Sequence, residues 1–107
     1  MSRIKVSVGD SVKLIPLDEI ICFEAEQKYT NVFTLDSTYV TDQSLRELES
    51  VLPDEDFVRI HRSHIVNVNL ISEIKRIEDR QCKLLLKVPF DRELIVSRSY
   101  VDKVLKI

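Results

Sequence analysis

Ile4, Val6 and Val8 alternate with polar residues, Gly9-Asp10 marks a tight turn, and Val12 and Leu14 alternate again, which predicts a hairpin. Glu19 to Ala25 is nearly continuous in apolar character and reads as a buried strand. Tyr29 to Leu35 and Thr38 to Thr41 flank Asp36-Ser37, a two-residue turn, and form a second hairpin. The pattern then changes period. Ser44 followed by Glu47 fits a capping box, Leu45, Leu48 and Leu52 fall at helical spacing, and Pro53 stops the run. A short helix is predicted over Leu45 to Leu52. Strands resume at Phe57 to Ile60 and Ile65 to Val68. Ile71 to Glu78 and Gln81 to Lys87 form another hairpin, turning near Asp79-Arg80, and Leu94 to Val96 is the last strand. Ser97 is placed to cap a terminal helical turn with Val101, Val104 and Leu105 on one face. The fold expected is mostly β, about ten short strands with one or two short helices. Phe23, Phe33, Leu45, Leu48, Phe57, Ile65 and Val66 are its expected core, with Tyr39 and Tyr100 partly buried.

The chain has 107 residues, suited to a single domain over 1–107, and is 44% hydrophobic and 32% charged, which excludes a disordered chain. No apolar run approaches the roughly 20 residues that span a bilayer, and the N-terminus lacks a signal-peptide core, so a cytoplasmic location is expected. Cys22 and Cys82 each sit in an apolar surround and read as buried thiols; a disulfide is disfavoured in a reducing compartment. The net charge of -2 argues against indiscriminate coating of nucleic acid, but the charges are segregated. Phe57 to Asn67 holds two arginines, two histidines and no acid, whereas Asp54-Glu55-Asp56 is wholly acidic.

The single glycine removes a phosphate-binding glycine loop or dinucleotide fingerprint, and no serine lies in a nucleophile elbow. Cys22, within IICFEA, reads as a packed strand residue. His61 and His64 stand three apart, a spacing that in an extended segment points them to opposite faces, and no third ligand is near. No enzyme, cofactor or metal site is expected.

Four ordered motifs resemble the LytTR family: IPLDEIICFEAEQKYTNVFT, SLRELE, FVRIHRSHIVNVNLISEI and LIVSRSYVDKVL, covering nearly the whole chain. The resemblance implies an elongated β-β-β sandwich with short helices. It further implies sequence-specific binding of paired repeats in double-stranded DNA, with loops entering successive major grooves, for bacterial transcription regulation in two-component systems. It implies a response-regulator receiver domain upstream in the full-length protein, and a monomer that binds DNA as two copies.

Thr30, by its position in the family, then becomes a base-contact candidate, because a threonine can donate, accept or touch a thymine methyl. Arg62 is the leading candidate for base readout, since a guanidinium pairs with guanine through two hydrogen bonds worth roughly 1–3 kcal/mol of discrimination. Arg98 is the third. Lys28, Asn31, Ser44, Arg46, Ser63, Ser97 and Lys103 are candidates for the DNA backbone. Arg59 is either a further backbone contact or an ion pair with the acids at 54 to 56. His61 and Asn67 are expected to shape their loops, and His64 has no assigned role. The competing reading is a protein-interaction or signal-sensing domain without DNA binding, favoured only by the acidic balance.

Overall fold

The two-residue turn at Gly9-Asp10, with Gly9 at φ +59°, sets the register of the first hairpin. In the computed structural model, which describes residues 1–107, β1 (Arg3–Val8) pairs antiparallel with β2 (Ser11–Pro16). That register sets Ile4 opposite Ile15, and both are buried with Val6. Val12 and Leu14 alternate on the opposite face of β2. The structure leaves these two 64% and 51% exposed, because a turn-fixed register sends Ile15, not its neighbours, to the core.

The middle layer is an antiparallel sheet of order β5-β4-β3-β7-β6. It is built from β3 (Ile20–Glu26), β4 (Tyr29–Thr34), β5 (Thr38–Thr41), β6 (Phe57–His61) and β7 (His64–Asn67). The central strand β3 is buried continuously from Ile20 to Phe23 because both of its faces are covered. Ile20 and Phe23 enter one core, with Ile4, Val6, Ile15, Phe57 and the leucines of α1 (Leu45–Val51). Ile21 and Cys22 enter the other, with Val58, Ile60 and Val66. Strict alternation would send Ile20 and Cys22 to the same side. A bulge between them, where β3 slips one residue against β4, changes the facing.

The third layer is a sheet of order β10-β9-β8, formed by β8 (Ile71–Arg76), β9 (Cys82–Leu86) and β10 (Leu94–Val96) and closed by α2 (Arg98–Val104). Cys82, Leu84, Leu94, Val96 and Val104 complete the second core. The three layers give an elongated body of 45 × 25 × 23 Å, the mostly β sandwich of ten strands and two short helices that the sequence predicts. The capping box at Ser44 and Glu47 is present in both halves. Leu105 departs from the expectation: it is exposed, while Val104 beside it is fully buried. No helix is long and apolar enough to cross a membrane.

Candidate nucleic-acid interface

Antiparallel pairing brings the chain-distant candidate segments to one edge. The β3–β4 turn, Gln27-Lys28, and the β6–β7 loop, Arg62-Ser63, meet there, because Glu24 pairs with His64 and the Ala25 amide donates to the Ser63 carbonyl at 2.8 Å. β5 ends at the same edge, with Thr41 opposite Thr30, and leads into Ser44 and Arg46. The third layer is joined through the Ser97 amide, which donates to the Ile60 carbonyl at 3.0 Å. Lys28, Ser44, Arg46, Arg62 and Arg98 are exposed, and Ser63 and Ser97 are half-buried. Arg62 and Arg98 make no ion pair.

Arg59 does not project from this edge. Its guanidinium turns into the β6–β7 loop: Nε donates to the His61 carbonyl at 2.8 Å, Nη2 to the Arg62 carbonyl at 2.6 Å, and Nη1 to Glu49 at 2.9 Å. The ion-pair alternative holds, but with Glu49 of α1 and not with the acids at 54 to 56. Those acids precede β6, whereas the guanidinium reaches toward its far end, and Asp56 is taken by Asn69 at 2.9 Å. With each of its three guanidinium nitrogens bonded internally, Arg59 braces the loop. His61 supports the same loop, its Nδ1 accepting the Ser63 amide at 3.1 Å. Asn67 is buried, donates to the Ile20 carbonyl and accepts from the Asn69 amide, each at 2.9 Å, shaping the turn into β8.

Thr30 is corrected by the structure. Strand pairing runs to Glu26 opposite Tyr29, so the turn is two residues long and Thr30 lies inside β4 on the face it shares with Val32. It is 2% exposed and its hydroxyl donates inward to the Gln43 carbonyl at 2.7 Å, a setting that turns it away from a base edge. Asn31 lies on the opposite face, its amide 3.4 Å from both Glu24 and Glu26, an acidic setting that competes with a phosphate. Ser97 occupies the N-cap position of α2, yet its hydroxyl makes no capping bond; its contacts are through the backbone, the amide donating to the Ile60 carbonyl and the carbonyl accepting from the Tyr100 amide. Lys103 is exposed, with Glu49 4.0 Å away.

His64 acquires a role that the sequence left open. Its Nε2 lies 3.1 Å from Glu24, whose carboxylate also receives Arg92 at 3.2 Å on both oxygens. The His64 and His61 rings stand edge to face at 5.8 Å. Burial pushes the His64 pKa below its ordinary 6.5, and the Glu24 carboxylate only partly opposes this. A histidine that resists protonation when folded binds its proton more readily when unfolded. Its contribution to stability is therefore complete above the ordinary value and is lost as the pH falls below it. Thermal unfolding at about pH 7.5 and about pH 5.5 should show a larger loss of Tm for the wild type than for His64→Gln. Equal losses would place the acid sensitivity elsewhere. The Cys22 thiol is likewise pushed up by burial, to about 12, and both cysteines are free and buried.

Two exposed arginines that sequence reasoning missed, Arg76 and Arg80, lie beside Arg98 on the third layer, where all three line one cleft.

The description of the LytTr DNA-binding domain matches residues 10–107. The chain is 33% identical over 105 residues to the sensory transduction protein LytT of Bacillus subtilis (strain 168), covering 98% of this chain and 43% of that protein. It is 38% identical over 94 residues to the transcriptional regulatory protein YpdB of Escherichia coli (strain K12), covering 88% of this chain and 38% of that one. The chain thus spans less than half the length of these relatives. A solved LytTr DNA-binding domain from Bacillus cereus superimposes with a TM-score of 0.87 at 31% identity, over 100% of this chain and 99% of that one.

Proposed function

We propose, because this chain belongs to the LytTR family of DNA-binding domains, that it binds duplex DNA in a sequence-specific way, with Arg62 and Arg98 entering major grooves. The observation that carries this reading is the convergence of two exposed guanidiniums that make no ion pair on one edge of the fold, from segments 36 positions apart in number, 62 and 98. Arg62 projects from a loop braced from within by Arg59, so its backbone is ordered before any ligand arrives. Lys28, Arg46, Ser63 and Ser97 lie along the same edge, within reach of phosphates to either side. The relatives named for transcriptional regulation and sensory transduction support a regulatory use, with a receiver domain upstream, a cytoplasmic setting and two copies on paired repeats as parts of the same reading.

Selection of bound duplexes from a random pool tests it: an enriched, repeated motif is expected. Against that motif, Arg62→Ala and Arg98→Ala should each cost about 1–3 kcal/mol of discrimination while random-sequence binding changes little. Equal losses on both duplexes would reduce these side chains to phosphate contacts. A pool with no enrichment at low salt would favour a domain that binds protein.

A further inference from the structure

The register of the third layer places two strand exits side by side. Arg76 and Val96 both pair with Cys82, one from β8 and the other from β10, so β8 and β10 run parallel and end at the same edge. β8 ends in Arg76, and the chain then turns through Glu78–Arg80. β10 ends in Val96, and the chain passes through Ser97 to Arg98. Between these exits lies an open cleft of about 670 Å³, lined by Arg76, Arg80, Gln81, Arg98 and Asp102 among others.

None of the three arginines makes an ion pair, in contrast to Arg59 and Arg92, which carboxylates neutralise. Asp102 is the acid on the lining; Glu78 and Asp79 belong to the turn outside it. The turn itself holds Asp79 at φ 58° and Arg80 at φ 59°. An arginine in the left-handed region is uncommon, and glycine would meet that backbone with less strain. The strain places a long cation on the rim of the cleft. Three guanidiniums converging on one concave surface suit an oxyanion with several acceptor oxygens, and arginine forks match phosphate geometry.

We propose that Arg76 and Arg80 of the β8–β9 hairpin, together with Arg98, form a clamp for backbone phosphates of duplex DNA beside the groove that Arg98 enters. The clamp rests on the DNA-binding reading and extends the contact surface along the third layer to the β8–β9 hairpin. Arg98 is shared between the base edge and the clamp, whereas Arg76 and Arg80 hold the backbone and carry no sequence information.

The test is the salt dependence of binding by the full chain, measured by fluorescence anisotropy on the selected duplex and on a random-sequence duplex. The Arg76→Gln/Arg80→Gln variant should lose affinity by the same factor on both. The magnitude of its slope of log K against log salt should fall by about 2, at roughly 0.9 for each phosphate released. Arg76→Lys/Arg80→Lys should restore the slope, which separates lost charge from a disturbed turn. An unchanged slope and affinity in the glutamine variant would overturn the clamp while leaving the DNA-binding reading intact. A loss confined to the selected duplex would also overturn it, since that is base reading. A wild-type chain that bound neither duplex would overturn the DNA-binding reading and the clamp with it.

Discussion

An Arg59→Ala variant is expected to bind its selected duplex about ten- to a hundredfold more weakly, the equivalent of losing the roughly 1–3 kcal/mol of a well-placed arginine–base contact. The loss arises without Arg59 touching DNA. Its guanidinium holds the carbonyls of His61 and Arg62 from inside the loop and ties them to Glu49 of α1. Without it, the Arg62 backbone is released and must be ordered at the moment of binding. Arg59→Lys discriminates this from a direct phosphate contact. Lysine keeps the charge but cannot aim donors in the fixed fork geometry by which Arg59 reaches its acceptors, so the lysine variant should bind almost as poorly as alanine. Recovery of affinity and of the salt slope by lysine would show Arg59 to be a phosphate ligand after all. A circular-dichroism melt accompanies the measurement, to confirm that both variants are folded at the assay temperature.

The largest effect on stability is expected from Asn67→Ala. The Asn67 amide is buried between layers, where it satisfies the Ile20 carbonyl and the Asn69 amide. Truncation leaves both backbone groups short of a partner, at about 1–3 kcal/mol each, for an expected total of about 2–6 kcal/mol. Urea unfolding should show a lower midpoint with an unchanged slope. Asn69→Ala is the control, because the Asn69 side chain is exposed and reaches only Asp56, and it should cost about 0.5 kcal/mol or less. At a temperature where Asn67→Ala is still folded, its DNA affinity should equal that of the wild type. A weakened affinity there would assign Asn67 to the contact surface.

The elements that local chemistry specifies were legible in the sequence. The capping box marked the start of α1, and the paired apolar runs around Asp79-Arg80 marked the β8–β9 hairpin. Where partners are distant in the chain, sequence order was silent. The run VKLIP offers apolar residues to either side, Val12 and Leu14 to one and Ile15 to the other, and only pairing with β1 selects Ile15. Thr30 looked exposed because it is polar and near a turn; its acceptor, the Gln43 carbonyl, comes after another strand. Arg59 is held by Glu49, ten positions earlier, and Glu24 gathers His64 and Arg92 from two other segments. Arg76 and Arg80 had no visible link to Arg98, because their proximity is created by β9, which pairs with the strands on both sides. The family resemblance named Arg62 and Arg98, but it said nothing of what braces the one or flanks the other.

The bulge in β3 makes that strand sensitive to counting as well as to composition. A swap of one aliphatic for another of similar volume at Ile20 or Ile21 leaves every neighbour facing the core it already fills. Deleting the extra residue, Ile21, would restore strict alternation and leave Ile20 and Phe23 facing one interior and Cys22 the other, as they do now. Inserting one residue between Cys22 and Phe23 would instead drive Phe23 toward the interior that Cys22 occupies. This strand can therefore change its letters, or lose its extra residue, far more easily than it can gain another.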